Sequence, residues 1–157
     1  MLFKDCVCFT LARASRRVSK AYSEKLDAFG LTQQQFFLLI ALYEQDGISI
    51  TALAEKVALE KPTLTGLLDR MERDGFVGRS PDPEDRRAFR IRLSPRAEAL
   101  RLQLMAIYEE TNSRFLSRLT EEERVGLERV LATLEVVVPE GSTGVRTAPV
   151  QDRKGSQ

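Results

Sequence analysis

Residues 49–94 run SITALAEKVALEKPTLTGLLDRMERDGFVGRSPDPEDRRAFRIRLS, and the rest of the chain is organised around them. Ser49 is an N-cap residue, and Ile50, Leu53, Ala54 and Val57 then fall at i, i+3, i+4 and i+7, which predicts a short helix with one buried face. A break at Ala58, Leu59 and Glu60 leads to Pro62, whose missing N–H is tolerated in a first helical turn. Leu64, Leu67, Leu68 and Met71 supply the apolar stripe of the second helix, and its opposite face carries Lys61, Thr63, Thr65, Gly66, Asp69, Arg70 and Arg73. Asp74-Gly75 then offers a left-handed stop. Two short helices so closely joined form a helix-turn-helix, whose second helix can lie in a DNA major groove.

After that stop, Phe76-Val77-Gly78-Arg79 can form a strand, and Phe89-Arg90-Ile91-Arg92-Leu93 alternates apolar and cationic residues at period two. Ser80 to Arg87 holds two prolines and joins the pair as a hairpin with an exposed tip. From Phe76 to Arg96 there are six arginines (Arg79, Arg86, Arg87, Arg90, Arg92, Arg96) against three acids (Asp82, Glu84, Asp85), although the whole chain carries only +1. A helix-turn-helix with a basic hairpin is a winged helix, and such a wing suits phosphate and minor-groove contact. Winged helices also serve as protein-binding modules, and that reading stays open here.

Composition bounds the alternatives. A chain of 157 residues, 43% of them hydrophobic, has material for one domain with a core. With 30% charged residues and near-zero net charge it has no bulk attraction for nucleic acid, so binding must come from a patch. The longest apolar run, Phe36 to Tyr43, is too short to cross a bilayer, and Lys4 and Asp5 interrupt any signal-peptide core, so a cytoplasmic location is expected. No histidine is present, which excludes Ser-His and Cys-His nucleophile pairs and histidine-bearing metal sites. No enzyme activity, cofactor or metal is expected. Cys6 and Cys8, two apart on one helix, point roughly 200° apart and can neither pair within the chain nor clamp one metal.

Outside the central unit, residues 3–29 read as a long helix with a seam along Val7, Leu11, Ala14, Val18 and Ala21, extended by Tyr22, Leu26 and Phe29 and stopped by Gly30. Its other side is basic (Arg13, Arg16, Arg17, Lys20), either a solvated face or the wall of an anion pocket. Thr32 and Gln35 form a capping box opening a helix whose Phe36, Phe37, Leu39, Ile40 and Tyr43 face a core, with Tyr43 also a candidate ligand contact. Gly47 ends that helix. Ser94-Pro95 opens a long helix to about Leu119, and a second capping box, Thr120 with Glu123, opens a last one with a stripe at Leu127, Val130, Leu131, Leu134 and Val138, ended by Pro139. The stretch 140–157 lacks periodicity and is expected to be a disordered tail. The terminal helices carry more apolar surface than the small central unit can cover, which predicts a twofold dimer.

These residues carry a resemblance. Asp85-Arg86-Arg87, Ile91 and Leu93-Ser94, preceded by Thr63 to Glu72 in the pattern T-x-T-x-L-L-D-R-M-E, resemble the MarR family (multiple antibiotic resistance regulators) over residues 3 to about 138. The resemblance implies a mainly α chain with a small β-hairpin. Its organisation would be a winged helix-turn-helix over 31–94, dimerisation helices over 1–30 and 95–138, and a tail over 139–157. It implies a transcription repressor that binds a palindromic operator in double-stranded DNA as a homodimer and is released by a small organic effector. The DNA contacts implied are Lys61, Thr63, Thr65, Gly66, Arg70, Arg79, Asp85, Arg86, Arg87 and Arg90, with Asp85 bracing the wing arginine Arg87.

A narrower resemblance concerns Cys8-Phe9-x-Leu11, Ala14-Ser15-Arg16 and Lys20-Ala21-Tyr22, which are similar to the first helix of the organic-hydroperoxide-sensing branch, where that cysteine is the reactive thiol. Two tyrosines of that branch fall here on Ala12 and Gln33, leaving Tyr22; a cysteine buried in apolar surroundings without those hydroxyls would be inert. Redox sensing through Cys8 is the alternative to ligand binding. The residues expected around an effector are Cys8, Ala12, Arg16, Tyr22 and Tyr43.

Overall fold

The computed structural model describes residues 6–83, 85 and 87–137. The expected tail (139–157), Arg86, Val138 and the start of the first helix lie outside them. The described residues form two compact units, one reaching to Arg114 and the other beginning at Phe115.

In the first unit, helix α1 (Val7–Leu26) passes into a single 3-10 turn, Asp27–Phe29, and Gly30 closes it at φ 64°, a left-handed cap that glycine adopts without strain. The sequence expectation of unbroken helix to residue 29 is corrected by that tighter last turn. Helix α2 (Gln33–Glu44) opens on the reciprocal capping box: the Thr32 hydroxyl accepts from the Gln35 N–H at 3.3 Å, and the Gln35 side chain accepts from the Thr32 N–H at 2.9 Å. Leu38, Ala41 and Leu42 are buried along with Phe36, Leu39, Ile40 and Tyr43, so this helix is apolar almost all round and runs through the middle of the core. Phe37 departs from expectation, being 38% exposed. The helix stops at Glu44, ahead of Gly47, which takes φ 70° in the following turn.

Strand β1 (Ile48–Ser49) leads into helix α3 (Ile50–Lys56), whose cap is the Ser49 hydroxyl accepting from the Ala52 N–H at 3.2 Å. The helix ends in a Schellman closure: Leu59 N–H donates to Ala54 O at 3.0 Å and Ala58 N–H to Glu55 O at 3.2 Å, with Ala58 at φ 50° where glycine is usual. Helix α4 (Lys61–Arg73) follows with Pro62 in its first turn. Its stripe Leu64, Leu67, Leu68 and Met71 is buried, and Gly75 at φ 76° completes a second Schellman closure, Phe76 N–H to Met71 O at 2.8 Å and Gly75 N–H to Glu72 O at 3.0 Å.

Strands β2 (Val77–Pro81) and β3 (Phe89–Leu93) pair antiparallel with Arg79 opposite Ile91. The expected hairpin is part of a three-stranded sheet in the order β1-β3-β2, because Ile48 and Ser49 pair with Ile91 and Arg90. Two residues give too short a run to show period two in sequence, and Pro81 is tolerated because β2 is an edge. Helix α5 (Pro95–Leu116) is capped by the Ser94 hydroxyl, which accepts from Ala97 N–H at 3.1 Å and itself donates to Gly75 O at 2.7 Å. Ser94 thereby ties the end of α4 to the start of α5. Leu104, Ile107 and Thr111 bury one side of α5, and the Lys25–Glu110 ion pair (2.6 Å) links it to α1. Only the C-terminal end of α1, Tyr22 and Leu26, is buried; Val7 (58% exposed) and Leu11 leave its seam open.

In the second unit, α6 (Glu121–Val137) opens on the Thr120–Glu123 box, with hydrogen bonds of 2.8 and 3.2 Å. Its Val125, Leu127, Val130 and Leu131 are exposed. Among the described residues no helix is long and apolar enough to cross a membrane.

Candidate nucleic-acid interface

Helix α4 presents Lys61, Thr63, Thr65, Gly66 and Arg70 to solvent, on the side away from its buried leucines. No buried charge is needed to hold them there. The Arg70 guanidinium folds along the helix, Nε donating to Gly66 O at 3.2 Å. Apart from the two neighbouring residues and the helix's own backbone, nothing lies within 4 Å of the position a Cβ would take at Gly66, so the helix surface is open at its centre.

The wing arginines have unequal surroundings. Arg79 donates to Asp69 at 2.5 Å and to Glu72, both on α4. Arg90 lies with Nε 2.9 Å from the buried Asp82 carboxylate, and its Nη1 donates to Gly47 O at 3.1 Å. Arg92, on the same strand, donates from Nε to the Ser80 hydroxyl at 3.2 Å and faces Asp46 at 3.7 Å. Arg96 donates to Asp74 O at 2.6 Å and covers the Phe76 ring at 4.3 Å. The tip is closed by Ala88 N–H to Asp85 O at 2.9 Å and Asp82 N–H to Ala88 O at 3.0 Å. There Asp85 accepts from the backbone N–H of Arg87 at 2.9 Å, a turn contact that leaves the Arg87 guanidinium in no ion pair among the described residues. The bracing of Arg87 by Asp85 that the resemblance implied takes the form of that backbone contact, with no ion pair between the two side chains. Arg86 lies outside the described residues.

The residues expected around an effector are not brought to one place. Cys8 and Arg16 are exposed and Ala12 is half-buried on the same helix. Tyr22 lies fourteen residues beyond Cys8, about 21 Å along the helix axis. Its ring packs on Phe36 and Phe37 with centroids 5.5 and 5.4 Å away, and burial, with Tyr108 nearby, pushes its phenol pKa up. Tyr43 donates its hydroxyl to Ala97 O at 2.7 Å and lies under the Arg101 guanidinium at 4.8 Å. Burial first, then Glu98, pushes that phenol up to about 12 against the opposing effect of Arg101.

A cavity of about 420 Å³ opens elsewhere, between α2, α3 and α5, lined by Phe37, Ile40, Ala41, Glu44, Lys56, Val57 and Tyr108. Lys56 pairs with Glu44 at 2.8 Å on its wall. Sequence reasoning missed it because its walls come from three separate elements. Phe37, expected in the core, stands on its wall instead.

The MarR family model matches residues 31–89, from just before α2 to the first residue of β3. The chain is similar to the organic hydroperoxide resistance transcriptional regulator of Bacillus subtilis, 33% identical over 60% of this chain, and spans 64% of that protein's length. It is 30% identical to the HTH-type transcriptional regulator SarZ of Staphylococcus epidermidis, over 77% of this chain and 80% of that one. In structure it is similar to the Staphylococcus aureus MepR–DNA complex with a TM-score of 0.77 and 25% identity, covering 85% of this chain and 98% of that chain. With a helix-turn-helix whose second helix is open on its polar face and a wing beside it, the chain belongs to the MarR family of DNA-binding winged-helix transcription regulators.

Proposed function

We propose that the chain acts as a homodimeric repressor that holds a palindromic operator and releases it when a small organic effector binds. The observation that carries this reading is the coexistence of an open polar face on α4 with exposed apolar residues on α1 (Val7, Leu11) and α6 (Val125, Leu127, Val130, Leu131). Exposed leucine and valine at helical spacing gain stability from a partner, and a second copy offers the same stripes. Residues 1–30 and 95–138 would then join two copies, leaving 31–94 of each to read DNA, with two α4 helices in major grooves about 34–36 Å apart. Lys61, Thr63, Thr65, Gly66 and Arg70 would meet the groove, and Arg86 and Arg87 the backbone or minor groove. The site of action is cytoplasmic, where DNA is.

The cavity between α2, α3 and α5 supports an effector of modest size, with apolar walls and one ion pair available for exchange. A second reading rests on Cys8: it is exposed in the first turn of α1, within reach of an oxidant, and a regulator named for hydroperoxide resistance is among the similar proteins. Mixing the protein with random-sequence duplexes and sequencing the bound fraction tests the main reading. Enrichment of two inverted half-sites with centres about 10 base pairs apart is expected. Absence of any enriched sequence would overturn it and favour a protein-binding winged helix. Treating the protein with cumene hydroperoxide, then repeating the binding on wild type and Cys8→Ser, separates the two release mechanisms.

A further inference from the structure

We infer that Arg79 is a positioning residue, which sets the wing against the recognition helix, and that it does not contact DNA. The chain leaves α4 through the Gly75–Phe76 closure and returns alongside it as β2, so Arg79, in the middle of that strand, lies beside the last turns of the helix. Asp69 and Glu72, three apart on α4, share one edge of it. One guanidinium spans both: Nη2 reaches Asp69 at 2.5 Å and Nη1 reaches Glu72. The planar fork sets Nη1 and Nη2 on separate carboxylates and so fixes the spacing of both, which a lysine ammonium, a single point charge on a flexible stem, does not.

Exposure points the same way. The Arg79 side chain is 22% exposed against 59% for Asp69 and 39% for Glu72, so the cation is the most enclosed member and the carboxylates shield it. A phosphate would have to displace two carboxylates to reach it. Arg90 and Arg92, on the next strand, are likewise held by Asp82, Gly47, Ser80 and Asp46, whereas Arg87 at the tip makes, among the described residues, a backbone contact and no ion pair. The wing thus spends its strand arginines on fixing its own place and keeps its tip for the duplex. A regulator that enters a major groove with α4 and touches the backbone with the wing gains sequence preference only if both arrive together. The Arg79 bridge fixes that spacing, and it also cancels part of the negative charge that Asp69 and Glu72 would bring towards phosphates.

The test uses the full chain, a duplex enriched from the random library, and a scrambled duplex of equal length, with melting curves as a folding control. Arg79→Gln and the pair Asp69→Asn with Glu72→Gln should each lower the ratio of enriched to scrambled affinity by about tenfold, and the triple variant should be no worse than either, as for residues acting through one bridge. A phosphate contact gives another pattern: Arg79→Gln would weaken both duplexes equally, leave the ratio intact and lower the salt slope by about one unit per subunit. That pattern, or an undiminished ratio in the carboxylate pair, overturns the inference. Should Arg79→Gln lose its melting transition, Arg79→Lys carries the test, because it keeps the charge without the rigid two-point fork. A lowered ratio is expected there, and a retained one overturns the inference.

Discussion

The Asp85 carboxylate holds the wing tip by accepting a hydrogen bond from the backbone N–H of Arg87 at 2.9 Å, and not by gripping its guanidinium. The acid therefore shapes the turn, while the cation stays available. Arg87→Ala is expected to weaken binding to all duplexes and to flatten the slope of log K against log salt by about 0.9 per subunit, leaving melting unchanged. Asp85→Ala should cost less affinity, since it loosens the turn without deleting the charge. Fluorescence anisotropy at several salt concentrations measures both, and an unaltered slope for Arg87→Ala would mean that the wing tip does not meet phosphate.

Gly66 sits in mid-helix on α4 with open space around the place of its missing Cβ, so nothing inside the protein requires a glycine there. A mid-helix glycine costs about 1 kcal/mol relative to alanine. Gly66→Ala is therefore expected to raise stability by about that amount while lowering affinity for the enriched duplex, because the added methyl meets the groove. Chemical denaturation and anisotropy on the same sample decide the matter; if affinity holds, the glycine serves no contact.

Ala58 takes φ 50° to close α3, a conformation that costs an L-residue with a Cβ roughly 1–2 kcal/mol. Ala58→Gly should relieve that strain, offset in part by the greater chain entropy of glycine, for a net gain of about 0.5 kcal/mol. DNA binding should not change. A loss of stability on denaturant titration would show that the turn is not strained.

The Tyr43 phenol is pushed up to about 12, above the ordinary tyrosine value near 10, chiefly by burial. A group whose folded value is raised contributes stability below the unfolded value and loses it as pH climbs through the window between the two. Wild type should accordingly lose melting temperature between pH 10 and about 12 faster than Tyr43→Phe. At neutral pH the same variant, lacking the hydrogen bond to Ala97 O, should be about 1 kcal/mol less stable. Parallel melting curves for the two proteins across that range would exclude the raised value.

What the sequence made legible was local. The Thr32–Gln35 and Thr120–Glu123 boxes, the Ser49 and Ser94 caps and the Asp74-Gly75 stop each depend on residues within one turn, and each forms as spaced. The buried stripe of α4 followed from period alone. Features built from distant residues were not legible. Strand β1 exists only because Ile48 and Ser49 meet Ile91 and Arg90, and the Arg79 bridge needs the return of β2 along α4. Composition could count the wing arginines, yet only their partners separate the braced Arg79, Arg90 and Arg92 from Arg87. The cavity beside Phe37 was hidden for the same reason, and α1 supplied effector candidates that the fold spreads along a helix.

The central claim, that two copies of this chain read one duplex, is tested most directly by the mass of the complex. Sedimentation velocity of the protein with the enriched duplex should give one species containing two chains per duplex, and the free protein should sediment as a dimer. Leu131→Asp, placing a charge in the exposed stripe of α6, should shift the free protein towards monomer and lower DNA affinity. A well-folded wild-type monomer that binds the duplex one to one would contradict the account.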